Sequence, residues 1–487
     1  MGARNGPEIT QKISPMVSSV LHFILILVEV VFLFNVLILV HELGHFLAAR
    51  WRGLVVERFA IWFGKPIWKK KINGVEYCLG SIPAGGYVAL PQMADMETIE
   101  GKGQTPKEKL PPITPLDKII VAFAGPLFSF GLAFAFACIV FVVGRPVNEF
   151  EAQCKIGYVE PGSEAEKAGL KPLDVVLDID GYPIQKFAGM GNSVTWRMIT
   201  SEGDVVRMNV RRGDQVVPLD IKAQYEKKAF WQRKPLREIT FLPADSEIKV
   251  EAVMPNSPAE KGGLKPGDIV VALADEPIYT SAAISRFMSH SPNVPVPLTV
   301  LRDGKPLTFT LVPEIPVEPE GLRNPMLGIA WASHLKIVHP SPIDQINNSV
   351  YAVVSTIQAW VNRNTDVNAS HMQGPIGIMN VMAILFRSEE GWRQALWLAV
   401  LINVNLAIVN MVPLPVLDGG HILLAIIEWI RRKPIHVKVL EVLQTACAML
   451  IIGFMLYVTF FDVQDLRWNF SNKPIKFAPK TTVTTPQ

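Results

Sequence analysis

His41-Glu42-Leu-Gly-His45 is the stretch of this chain whose residue types and spacing could do chemistry. Histidines four apart lie one helical turn from each other on one face, so both imidazoles can reach a single metal ion. A glutamate beside the first histidine can serve as general base toward water activated by that metal. This is the H-E-x-x-H pattern of zinc peptidases. A membrane-facing helix with two interfacial histidines would carry the same five residues, so the context has to decide.

The element that must position the motif is an apolar run from Val17 to Val40, long enough to cross a bilayer. Imidazoles and a carboxylate at the end of such a span are costly without partners, and ionisable groups there read as functional. Gly44 adds no helix propensity and points to close approach by another backbone. Glu29, inside the same run, reads as a polar partner within the helix bundle. Arg4 and Lys12 before the run imitate a signal peptide, but cleavage would remove the motif, so the run reads as a retained span.

Two histidines leave a catalytic zinc one protein ligand short. Near the end of a later apolar segment stand Asn403, Asn405 and Asn410, then Pro413-Leu-Pro415-Val-Leu-Asp418-Gly-Gly420-His421. Asparagines in a span need partners, and prolines at membrane depth are tolerated where backbone lines a cavity. Asp418 can supply the third ligand, leaving the fourth position for water. A turn-forming aspartate before two glycines is the plain alternative, and His421 is a competing ligand. His371 sits alone in a loop and is not counted.

The 487 residues are too many for one compact core, and 49% are hydrophobic, which indicates a membrane protein with sizeable soluble parts. A net charge of only +3 gives no reason to expect nucleic acid as a partner. Cys78, Cys138, Cys154 and Cys447 form no C-x-x-C pair, so neither a thiolate metal site nor a disulfide framework is indicated.

Residues 1–145 read as two spans, the second from about Leu116 to Val143 with Ala124-Gly125-Pro126 allowing close helix contact or a kink. Between them Arg50, Arg52, Arg58, Lys65, Lys69, Lys70 and Lys71 mark a cytoplasmic loop. In that loop 74–81 and 86–90 read as strands joined at Ile82-Pro-Ala-Gly85-Gly86, a hairpin that could offer an edge to an extended substrate. Gln92 to Pro115 reads as a flexible connector. Ala165-Glu-Lys-Ala-Gly-Leu-Lys-Pro172 recurs as Ala259-Glu-Lys-Gly-Gly-Leu-Lys-Pro266, which gives two tandem β-rich modules, 147–226 and 246–317, with a linker between. Residues 340–386 read as an interfacial amphipathic helix and connector, 392–461 as spans three and four, and 462–487 as a mobile polar tail outside.

The repeats resemble the signature of PDZ domains, which bind peptide termini or strands, with Leu173 where glycine is usual. Taken in order, His41-Glu-Leu-Gly-His45, Arg58-Phe-Ala-Ile-Trp-Phe-Gly-Lys65, Ile82-Pro-Ala-Gly-Gly-Tyr-Val88, Ala124-Gly-Pro126, the repeats and Asn410-Met-Val-Pro-Leu-Pro-Val-Leu-Asp-Gly-Gly420 closely resemble the bacterial site-2 protease family of the sigma-E regulator type. The resemblance covers nearly the whole chain. It implies a four-span membrane metalloprotease with a membrane-associated β-hairpin and two PDZ domains. It implies Zn2+ held by His41, His45 and Asp418, with Glu42 as acid-base, and cleavage of single-span membrane proteins and remnant signal peptides. It implies substrate contacts at Gly85, Gly86, Asn410, Pro413 and Pro415. It further implies the bacterial inner membrane, with the active site toward the cytoplasm and the PDZ domains outside. Ser129 stands where the family carries asparagine. The rivals are a membrane-anchored PDZ scaffold with a dead site and a metal transporter; the sequence offers the latter no continuous polar path.

Overall fold

The computed structural model describes residues 15–96, 110–149, 153–226, 231–290, 294–319, 322–332, 335–388, 390–433, 437–466 and 475–479, with 229 and 435. Arg4, Lys12 and most of the expected connector lie outside the described residues. The chain divides into two compact units. A membrane unit holds the residues before 145, then 339–350 and 373–466; a β unit holds 145–338, 351–372 and the residues after 466.

Among the described residues of the membrane unit, four helices are long and apolar enough to cross a bilayer: Ile24–Arg52, Pro115–Val143, Gly391–Asn410 and Lys438–Asp465. The first belongs to an unbroken helix, Pro15–Arg52, so the apolar run continues straight through the histidine motif. The second starts at a capping box, in which Thr114 accepts from the Asp117 N–H while Asp117 accepts from the Thr114 N–H. Second and third spans meet through Ala133 and Ala137 against Val400 and Val404, small side chains that let the two backbones approach. Glu29 lies on an exposed face of the first helix, not inside the bundle as the sequence suggested.

Strands β1 (Arg58–Phe63), β2 (Trp68–Ile72), β3 (Val75–Leu79) and β4 (Ile82–Ala89) form one sheet in the order β2-β3-β1-β4. This corrects the expected hairpin. β3 and β4 do not pair with each other; both pair with β1, β3 in parallel and β4 antiparallel. The stretch 82–86, expected as a turn, is the start of β4. The hairpin that does form is β2–β3, closed by Asn73-Gly74, both at positive φ (50° and 85°), as a two-residue turn matching strand twist requires. β4 is therefore an edge strand. Phe46, Phe59, Val75 and Val88 pack with Val121, Ala122 and Ala124 in one core, which fixes the sheet against the first two spans.

The β unit contains the repeat as two modules of identical element order. Each has a strand, a short helix, a strand, a two-residue strand, a second helix, a long hairpin and a closing strand. The four-stranded sheets match: 215–222, 205–212, 175–179, 182–183 in the first, and 305–311, 296–302, 269–273, 276–277 in the second. The closing strand Phe241–Pro243 pairs with Ile156–Val159, so part of the stretch read as a linker is a strand; Ile329–Trp331 pairs with Val250–Val253 in the same way.

The repeated sequence has a local physical reason. Ser163 and Ser257 cap the short helices, accepting from the N–H groups of Glu166 and Glu260 at 3.2 Å each. Each glutamate reaches back to a backbone N–H just before the serine. Gly169 and Gly263 follow the helices at φ near 90°. Asp174 and Asp268 then receive a two-pronged ion pair from Arg212 and Arg302.

Pro342–Val361 is helical, as its spacing predicts; it belongs to the membrane unit as far as Val350 and to the β unit beyond. All four cysteines are free. The tail departs from expectation: Phe477 is buried at 3% exposure in the β unit.

Candidate metal centre

His41, Glu42 and His45 come from one turn of the first span, and two glycines let the second span reach them. A Cβ at Gly44 would lie 2.9 Å from Phe128 Cβ and would overlap the Ala124 carbonyl. A Cβ at Gly125 would overlap the His45 ring, 2.2 Å from its Nε2. The close approach expected of Gly44 and of Ala124-Gly-Pro126 is thus a packing requirement of the site itself.

That approach holds both imidazoles. His45 Nδ1 lies 2.8 Å from the Val121 carbonyl, which can only accept, so Nδ1 carries the proton and Nε2 of the neutral ring is a lone pair. His41 Nδ1 lies 3.0 Å from the hydroxyl of Ser129, which is fully buried. Ser129 was left without a role by the sequence. The available signal was a hydroxyl on the span that also carries Ala124-Gly-Pro126.

Asp418 arrives from the other end of the chain. Pro413 and Pro415 keep 411–417 out of the third helix, and Asp418 is the first residue of a new one, Asp418–Arg431. Gly419 and Gly420 are needed for this turn, since a Cβ on either would overlap the carbonyls of Met411 or Leu414. Lys118 fastens the new helix to the second span through Glu428 at 2.7 Å, and Arg52 joins the first span to Asp117 at 2.7 Å.

The result is a group of three ligand atoms within 4.8 Å of one another, on His41, His45 and Asp418. The closest separations are 3.3 Å between the two Nε2 atoms, 3.2 Å from His41 Nε2 to Asp418 Oδ2, and 3.4 Å from His45 Nε2 to Asp418 Oδ1. Ligands about 2.0–2.1 Å from a tetrahedral zinc are about 3.3–3.4 Å apart. Asp418 Oδ2 is buried with no aligned hydrogen-bond donor despite its 3.2 Å neighbour. Lone pairs pointed at one another in a buried pocket repel unless a cation lies among them, so the donor set fits zinc.

The pocket opens onto a cavity of about 160 Å³, lined among others by His41, Glu42, His45, Val88, Asn410, Val416, Asp418 and His421. His421 thus borders the cavity but stands outside the ligand group. The Asn410 amide lies 3.3 Å from His41 Nε2. β4 passes beside Glu42: a Cβ at Gly86 would touch Glu42 Cγ at 3.5 Å, and Val88 lines the same cavity as Glu42. Gly85 has φ +77° and is crowded by the Phe63 ring. Pro413 is exposed and Pro415 half-buried, and their visible effect is the turn that delivers Asp418. His371 is used elsewhere, its Nδ1 accepting from the Asn368 N–H.

Comparison with known proteins agrees with this chemistry. The model of peptidase family M50 matches residues 29–454. A Neisseria meningitidis protein named as a zinc metalloprotease is 30% identical over 451 residues, 88% of this chain and 97% of the relative. The regulator of sigma-E protease RseP of Escherichia coli is 28% identical over 458 residues, 89% of this chain and 97% of the relative. Protease RseP of Yersinia pestis is 28% identical over 453 residues with the same shares.

Proposed function

The chain belongs to peptidase family M50 and is a bacterial membrane zinc metalloprotease, and we propose that it cuts peptide bonds inside the transmembrane segments of single-span proteins. His41, His45 and Asp418 hold the zinc and Glu42 is the acid-base. The observation that carries this reading is that the two Nε2 atoms lie 3.3 Å apart and each lies 3.2–3.4 Å from an Asp418 carboxylate oxygen, with Glu42 on the same cavity wall.

When bound, zinc supplies Lewis acidity that makes water nucleophilic near neutral pH and polarises the scissile carbonyl. Glu42 takes the water proton as the carbonyl carbon is attacked and returns it to the departing amine nitrogen. Ser129 and the Val121 carbonyl hold the imidazoles so that both Nε2 atoms face one point.

A helical substrate hides its carbonyls in hydrogen bonds and must unwind before attack. The free edge of β4 offers replacement partners, and its path past Glu42 at Gly86 and Val88 supports Gly85 and Gly86 as substrate contacts. Asn410, Pro413 and Pro415 complete that contact surface. The two modules act as PDZ domains that read peptide termini or exclude substrates with bulky outer domains. Arg50 and Arg52 at the end of the first span, Lys69 to Lys71 after it and Arg431 to Lys433 later support an inner-membrane orientation with the metal centre toward the cytoplasm.

The test uses purified protein in detergent with a model single-span substrate. Glu42→Gln should retain zinc and lose cleavage. Full activity in that variant overturns the role of Glu42, and a wild-type protein that binds substrate without cutting it supports the scaffold instead.

A further inference from the structure

The segment Ile475–Pro479 lies in the part of the chain expected to be a loose tail, yet it is docked on the second module. Lys476 donates its N–H to the Glu318 carbonyl at 3.0 Å and accepts from the Val317 N–H at 2.8 Å, forming an antiparallel bridge. Side chains alternate as an added strand requires: Ile475 half-buried, Lys476 exposed, Phe477 buried at 3%. Phe477 packs over Gly328, where a Cβ would meet the ring at 2.9 Å, and Gly328 has φ +73°, so this slot depends on a missing side chain. The Lys476–Glu318 ion pair is 2.7 Å long but exposed on both sides, and contributes little.

We propose that Ile475–Pro479 is a built-in peptide ligand of the second module, and that the surface it covers is a binding site for an extended segment with an aromatic anchor. Strand addition gives such a site its affinity through backbone pairing and its specificity through one side-chain slot. The contact is small, a short backbone bridge and a single buried ring, so a peptide of the same chemistry can exchange with it. Covalent attachment ten residues beyond the fourth span raises the local concentration of the segment and keeps the site occupied in the free protein.

The test is binding of a labelled peptide with the sequence of residues 473–480 to full-length protein and to a chain ending at Asn472, both in detergent. The shortened chain should bind the peptide saturably. A peptide with Phe477→Ala should bind at least tenfold more weakly, and the full-length protein should bind the unaltered peptide at least tenfold more weakly than the shortened chain does. Full-length Phe477→Ala should bind like the shortened chain, which covers the case in which truncation alone harms folding. Equal binding by full-length and shortened chains, no binding by either opened form, or indifference to the aromatic ring overturns the proposal. So does failure of both opened forms to purify as folded protein, because the segment is then a fixed part of the module.

Discussion

Asp174 and Asp268 in the β unit and Asp418 in the membrane unit are all buried carboxylates, at 1%, 1% and 8% exposure, but their surroundings differ in kind. The first two are saturated with donors. Each receives two guanidinium nitrogens from one arginine and a backbone N–H from the lysine three residues before it, all between 2.7 and 2.9 Å. Asp418 faces two imidazole nitrogens, and one of its oxygens has no aligned donor. A buried carboxylate surrounded by donors is a staple. One surrounded by lone pairs is part of a site that a cation completes.

The widest separation between the two kinds comes from removing the carboxylates. Asp418→Ala should abolish zinc retention and cleavage while both modules stay folded, measured by metal analysis and hydrogen exchange. Asp268→Ala should do the reverse: it removes the carboxylate that ties Arg302 to the Lys265 N–H, weakens the second module and leaves zinc in place. Loss of zinc in Asp268→Ala with a stable module would erase the distinction. A smaller effect belongs to the hydroxyl behind His41. Ser129→Ala should weaken zinc about 10–100-fold in competition with a chelator, without unfolding; unchanged affinity would make Ser129 mere packing.

The two modules also differ from each other at one backbone position. Leu173 and Gly267 occupy equivalent places before the buried aspartates, at φ 74° and 93°. Gly267→Leu should destabilise the second module by about 1 kcal/mol, because a Cβ is strained there. Leu173→Gly should stabilise the first by about 0.5 kcal/mol, since relief of strain exceeds the added freedom of the unfolded chain. Unfolding midpoints of the full chain, followed by exchange at each module, check both signs. The smallest effect near neutrality is that of pH. The hydrogen bonds from Arg302 hold the Asp268 carboxyl below the ordinary carboxylate range. A depressed folded value means stability that is present above the unfolded carboxylate range and lost as pH falls through the folded one. The second module should therefore be indifferent to pH between about 5 and 7 and weaken in stronger acid, a response that Asp268→Asn should blunt.

What could be read from the sequence follows from the range of the interactions involved. The histidine pair, the apolar spans and the repeat are written in local spacing, and the structure holds the pair on one helical turn, four long apolar helices and two modules of matching element order. The order β2-β3-β1-β4 was not legible, because β1 inserts between strands that are nearer neighbours in sequence, a choice made by packing on the first two spans. Asn73-Gly74 was the missed local clue to the hairpin that does form. Ser129 was a departure from a family pattern until His41 was placed beside it. Phe477 was hidden by its polar neighbours, since composition averages over the one residue that docks.

Gly125 has a consequence for how the catalytic helix can vary. The first carbon of any larger residue at 125 would come within 2.2 Å of His45 Nε2. A single methyl group there, on a different helix and with no chemistry of its own, would displace the ring while sparing His41, Glu42, His45 and Asp418. An alanine at 125 should therefore disturb the metal centre, although a survey of reactive residues would pass it over.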